Sequence, residues 1–199
     1  MKLKIMVCFF VMCLLISVSG VAYGYNLTDE YGNKYKWDRD SNIPVSVDSS
    51  EYNASWQSLV NTSINNINSG GANFRYVNKP QNGTGDVKMI SRSLKNHPSE
   101  PLALTEYVSY QYYSENKTYV LENCVIIMNN DYRWSNPGIP FYSYDIQSAV
   151  SHELGHVAGL KHCEEKDSMM RTNLGEGEIH RFDSDDVRGL IEIYGTNFK

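Results

Sequence analysis

The segment His152-Glu153-Leu154-Gly155-His156-Val157-Ala158-Gly159-Leu160-Lys161-His162 constrains this chain more than any other. At 3.6 residues per turn, positions 152 and 156 stand nearly one above the other on an α-helix. Two imidazoles can therefore reach a single ion from a stiff backbone. Glu153 lies beside them, placed to reach a water on that ion without ligating the ion itself. A continuing helix would carry residue 162 more than a turn further and to another face, so the helix has to stop first. Gly159 can stop it, because glycine enters the left-handed conformation that turns a chain back. His162 then returns as a third ligand.

Three neutral imidazoles around one Zn2+ leave a tetrahedral position for water, which is the catalytic rather than the structural arrangement. With Glu153 as general base, that set suffices in kind to hydrolyse an acyl bond. A lone His-Glu-x-x-His occurs by chance on exposed helices. Adding the glycine and the third histidine at fixed offsets brings coincidence down to the order of 10⁻⁵ per chain at average residue usage.

The rest of the chain reads as an α/β unit leading into that helix. Ile43, Val45 and Val47 alternate as a half-buried strand, and Trp56, Leu59, Val60, Ile64 and Ile67 repeat at helical spacing over 54–68. Further strands are expected at 74–77, 86–90, 102–110 and 124–129. Asp145 caps a helix over 146–158, and Asp183-Ser184-Asp185-Asp186 opens a last one, about 185–194, that stops at Gly195. The tyrosines at 107, 110, 112, 113 and 119 read as half-buried strand aromatics rather than cleft lining.

A chain of 199 residues supports one domain, with room for a small appended lobe. Its 18 basic against 23 acidic side chains give no basic footprint for nucleic acid. Residues 1–24 read as a secretory leader: Lys2 and Lys4, an apolar run from Ile5 to Val18, then small residues around Ala22-Tyr23-Gly24. The mature chain, 25–199, would be one secreted catalytic domain with an N-terminal lobe of about 35–162 and a C-terminal lobe of about 163–199. A monomer with no membrane partner is expected. Cys8 and Cys13 leave with the leader. Cys124 and Cys163 remain for either one disulfide, which the oxidising compartment favours, or two separately buried thiols.

The long histidine motif followed by a methionine resembles the metzincin clan of zinc proteases, most closely the matrixins. By its distance from His162, Met170 of Ser168-Met169-Met170 matches the family's turn methionine, and Phe182 to Gly195 is similar to its closing helix. The resemblance implies an α+β, zincin-like fold: a twisted, mostly parallel five-stranded sheet with an antiparallel edge strand, two long helices and a small C-terminal lobe ending in a helix. It implies a secreted zinc endopeptidase acting on extended peptides or proteins laid along the edge strand, for which Leu102 to Glu106 is the candidate. Met170-Arg171-Thr172-Asn173 would wall the pocket just past the scissile bond.

The departures are specific. His97 is the single histidine upstream of the motif, so an extra structural zinc is not carried over, and no propeptide cysteine motif lies between the leader and the first strand. Calcium sites occur in this clan, yet no loop here has convincing oxygen-ligand spacing. Cys163 stands where many matrixins have serine, no tyrosine follows Met170 closely, and His180 reads as a surface residue. Two rival functions remain beside the endopeptidase. One is an archaemetzincin-like aminopeptidase, suggested by His162-Cys163 but lacking that family's further downstream cysteines. The other is a secreted binding protein of metalloprotease fold without turnover, for which Glu153 would have no chemical use.

Overall fold

The computed structural model describes residues 24–38, 45–79, 85–135, 142–166 and 168–196. The expected leader lies outside these residues apart from Gly24. Within them, strands β1 (Lys34–Trp37) and β2 (Val45–Asp48) precede helix α1 (Ala54–Asn68). Strands β3 (Tyr76–Asn78), β4 (Val87–Arg92), β5 (Ala103–Tyr113) and β6 (Thr118–Asn129) follow. The short strands β7 (Trp134–Ser135) and β8 (Tyr144–Asp145) lead into α2 (Ile146–Val157), and α3 (Ser184–Tyr194) comes last.

The architecture is α+β with a mostly parallel sheet. Its centre is β6, which pairs along one edge with antiparallel β5 and along the other with two parallel strands in turn. Strand β1 meets Thr118–Leu121 and β4 meets Cys124–Asn129; β2 and β3 then continue the sheet beyond β4. Among the described residues the sheet has six strands rather than the expected five. The addition is β1, Lys34-Tyr35-Lys36-Trp37, whose two lysines mask a strand in which only Trp37 is fully buried. Strand β6 also starts at Thr118 rather than Cys124, and that extension is what β1 pairs with. Strand β2 is buried at all four positions, not half-buried, because parallel neighbours flank it on both edges and the core covers it.

Helix α1 begins where Asn53 accepts a hydrogen bond from the Trp56 amide. It turns Leu59, Val60, Ile64 and Ile67 into the core, as their spacing requires. It packs on α2, where the hydroxyls of Ser63 and Ser151 meet at 2.9 Å in a buried contact. Two aromatic donors fix α2 on the sheet: Tyr76 Oη donates to the Leu154 carbonyl at 2.6 Å, and Trp37 Nε1 to the Val157 carbonyl at 2.8 Å. These bonds satisfy buried polar groups that would otherwise cost about 1–3 kcal/mol each. Among the described residues no helix is long and apolar enough to cross a membrane.

The expected disulfide is corrected. Cys124 and Cys163 are both buried free thiols. Cys124 is fixed in mid-sheet between Val87 and Tyr107 by strand pairing, whereas the Cys163 amide donates to the Met170 carbonyl in the small lobe. A bridge needs the two Cβ vectors to face one another, and a count of two cysteines carries no such information. Burial pushes the Cys124 thiol up to about 12, so it is protonated and inert at neutral pH.

Candidate metal centre

Helix α2 presents the first two histidines. Asp145 caps it, accepting from the Ser148 amide at 2.8 Å and from the Arg181 guanidinium at 2.6 Å. The other end closes as the sequence requires. Gly159 has φ +101°, its amide donates to the His156 carbonyl at 2.9 Å, and the Leu160 amide donates to Gly155 at 3.0 Å. This is a Schellman stop, in which the two terminal carbonyls are satisfied by a chain already reversing direction. Lys161 then pairs with the N-terminal segment through the Asn26 carbonyl, and His162 comes back over the helix.

The three rings converge. The Nε2 atoms of His152 and His156 each lie 3.1 Å from His162 Nε2, and all three ligand atoms fall within 4.8 Å of one another. Nitrogens bound tetrahedrally to zinc at about 2.0–2.1 Å stand about 3.3 Å apart, so the set fits such an ion. The tautomers fit too. His152 Nδ1 is 2.8 Å from the Met169 carbonyl and His156 Nδ1 is 3.0 Å from the Leu160 carbonyl. A carbonyl only accepts, so both Nδ1 atoms carry hydrogen and both Nε2 atoms point bare lone pairs at the common centre. Such lone pairs repel unless a proton or a cation sits among them. Burial holds all three imidazoles below their ordinary pKa, with His162 at about 4, which keeps them neutral and ready to ligate at pH 7. Among the described residues this triad is the one cluster of three or more histidine, cysteine or acidic side chains placed to hold an ion.

Glu153 is buried at the edge of the same cleft. Desolvation raises its pKa to about 7, opposed by a 2.6 Å hydrogen bond from the Thr105 hydroxyl to Oε2. A carboxyl titrating there can both take and return a proton near neutral pH. The cleft has a volume of about 770 Å³ and is bordered by β5 from Ala103 to Thr105, so the candidate edge strand does flank the histidines. Among the described residues strand β5 pairs with β6 alone, antiparallel and along one edge.

Met170 is fully buried beneath α2. A Cβ built on Gly155 would lie 2.3 Å from its sulfur, so that glycine is what lets the methionine lie so close under the helix. Met170 does not reach the cleft. The wall is formed by its neighbours Arg171, Thr172, Asn173 and Leu174. The turn hangs on α3: Asp186 accepts from Ser168 Oγ at 2.8 Å and from the Met169 amide at 3.1 Å, while closing a capping box with Asp183. Asp186 thus links the last helix, through Met169, to the Nδ1 of His152.

Two further expectations are corrected. His180 is not a surface residue: its side chain is 11% exposed and lines the cleft, because the Ser148 hydroxyl fixes its backbone at both ends. Tyr107 also lines the cleft and donates to the His156 carbonyl at 3.2 Å, whereas Tyr110, Tyr112 and Tyr113 stay exposed. Lys161, within the motif but given no role by it, lies 3.4 Å over the Tyr35 ring and donates to Tyr107 Oη at 3.1 Å. Thr105 falls in the candidate edge strand and Tyr107 among the strand tyrosines, but their contacts with Glu153 and His156, like that of Asp186 with Met169, are remote along the chain and carry no sequence signal.

Comparison with known proteins points the same way. Residues 114–195 match the family model described as Matrixin. A metalloendoproteinase of Arabidopsis thaliana, 4-MMP, is 41% identical over 54 residues, which is 27% of this chain and 16% of that protein. Human matrilysin is 33% identical over 72 residues, 34% of this chain and 25% of its own length. The matched stretches are therefore a small part of each relative.

Proposed function

We propose that this chain is a secreted zinc endopeptidase in which His152, His156 and His162 hold one ion and Glu153 is the general base. The observation that carries this reading is the convergence of three neutral imidazoles, Nε2 inward, beside a buried carboxyl in an open cleft. A zinc ion there supplies, when bound, Lewis-acid activation of a water and of the scissile carbonyl.

The remaining work falls to the chain's own groups. Backbone carbonyls of Met169 and Leu160 hold the first two rings in one tautomer and one orientation. A substrate segment lies extended against the open edge of β5, bound through main-chain hydrogen bonds that ask little of its sequence. Arg171 to Leu174 wall the space for a side chain on one side of the scissile bond. Glu153 takes the proton of the attacking water and passes it to the leaving nitrogen, so the amine departs neutral. The expected leader at residues 1–24 accounts for export.

The test is cleavage of casein with and without metal. Cleavage is expected to stop on thorough chelation and to return on adding zinc. Activity that persists without metal would contradict the proposal, and casein binding without cleavage at full zinc loading would favour the non-catalytic alternative.

A further inference from the structure

Glu153 follows a metal ligand in sequence, yet its carboxylate is held from a different element. Thr105, in β5 and 48 residues upstream, donates its hydroxyl to Glu153 Oε2 at 2.6 Å; Thr105 Oγ1 also lies 3.3 Å from the Glu153 carbonyl oxygen. Among the described residues Thr105 is the sole hydrogen-bond donor to that carboxylate. Thr105 itself is stiff. Its backbone is paired with Ile126 in the sheet, and a β-branched side chain has few χ1 choices. A free glutamate has several rotors to lose on ordering, and a reacting group misplaced by about 1 Å costs on the order of 10²-fold in rate. The hydroxyl engages Oε2, and among the described residues no donor meets Oε1, while Glu153 lines the cleft.

We infer that Thr105 is a positioning residue: its hydroxyl fixes the Glu153 carboxylate so that the second oxygen faces the attacking water. The inference rests on the reading of Glu153 as general base and adds the group that aims it. Because β5 is also the substrate edge, the same strand that would bind the peptide backbone sets the direction of the base. Binding and proton transfer are then referred to one rigid element.

The experiment compares Thr105→Val, which keeps the shape and removes the donor, with Thr105→Ser, which keeps the donor. Steady-state kinetics on one peptide are measured beside zinc content and thermal midpoint. Thr105→Val is expected to lower kcat roughly tenfold or more, the size of one lost hydrogen bond to a charged group, with KM and zinc content near the parent. Thr105→Ser is expected to restore most of kcat. A valine variant with parental kcat overturns the inference, as does one whose loss is confined to KM, which would make the hydroxyl a substrate contact. If the valine variant does not fold, Thr105→Ala against Thr105→Ser decides by the same criteria. A parent protein that cleaves nothing would instead overturn the endopeptidase reading itself.

Discussion

Glu153→Ala is expected to lower kcat on a protein substrate by about 10²- to 10⁴-fold, the range a well-placed general base contributes, while zinc content stays at the parental level. The separation of these two readouts follows from the geometry. Glu153 lies beside the histidine triad without being one of the converging ligands, and its carboxylate is engaged by Thr105. Glu153→Gln should behave like the alanine variant, since an amide keeps the shape but cannot accept the proton. Casein cleavage by Glu153→Ala at the parental rate would refute the assignment.

The second large effect is expected at Gly159. A Cβ there would stand 2.2 Å from the Tyr35 carbonyl and 3.2 Å from Ile193 Cδ1, at a φ of +101° that a β-branched residue does not tolerate. Gly159→Val must push against β1 and α3 or abandon the reversal that returns His162. Unfolding free energy is expected to fall by about 3 kcal/mol or more, and zinc retention with it. Gly195 provides the control. Its φ of +76° with ψ of 179° is a backbone that favours glycine, but nothing lies within 4 Å of an added Cβ, so Gly195→Ala should cost only the backbone strain of about 1–3 kcal/mol and leave zinc content alone. Urea titration with metal analysis checks both variants; equal losses at 159 and 195 would mean that the close approach of β1 is unimportant.

Much of this molecule was legible because its signals are local. The helices announce themselves by capping residues and apolar spacing: Asp145 and Asp183 accept hydrogen bonds from the first turn of their helices, where the sequence places them, and the apolar repeat of 54–68 marks the first helix. The histidine motif could be read to the level of a helix break because spacing along one helix and one glycine determine it. What was not legible depends on contacts between distant segments. Strand β1 has no alternation to betray it and exists because β6 runs on to meet it. Thr105 acquires a role only when β5 is laid beside α2, and Asp186 only when α3 docks under the methionine turn.

Distant contacts also decide the state of the two cysteines and the place of His180. A pair of cysteines in the sequence carries no facing geometry, which belongs to the fold, and strand pairing holds Cys124 to partners other than Cys163. His180 belongs to no motif, and its neighbours Ile179 and Arg181 form no pattern that marks it as buried. What places it at the cleft is Ser148, in the first turn of α2, whose hydroxyl both donates to and accepts from its backbone. A side chain's surroundings cannot be read from its sequence neighbours when the chain folds back across the cleft.

The central claim is that three imidazoles from one helix and one reversed loop share a single ion. Anomalous scattering at the zinc absorption edge, from crystals of the zinc-loaded protein, measures this directly. The expected result is one strong peak with the Nε2 atoms of His152, His156 and His162 about 2.0–2.1 Å away. No peak at that position, or a zinc ion held elsewhere with the three rings apart, would contradict it.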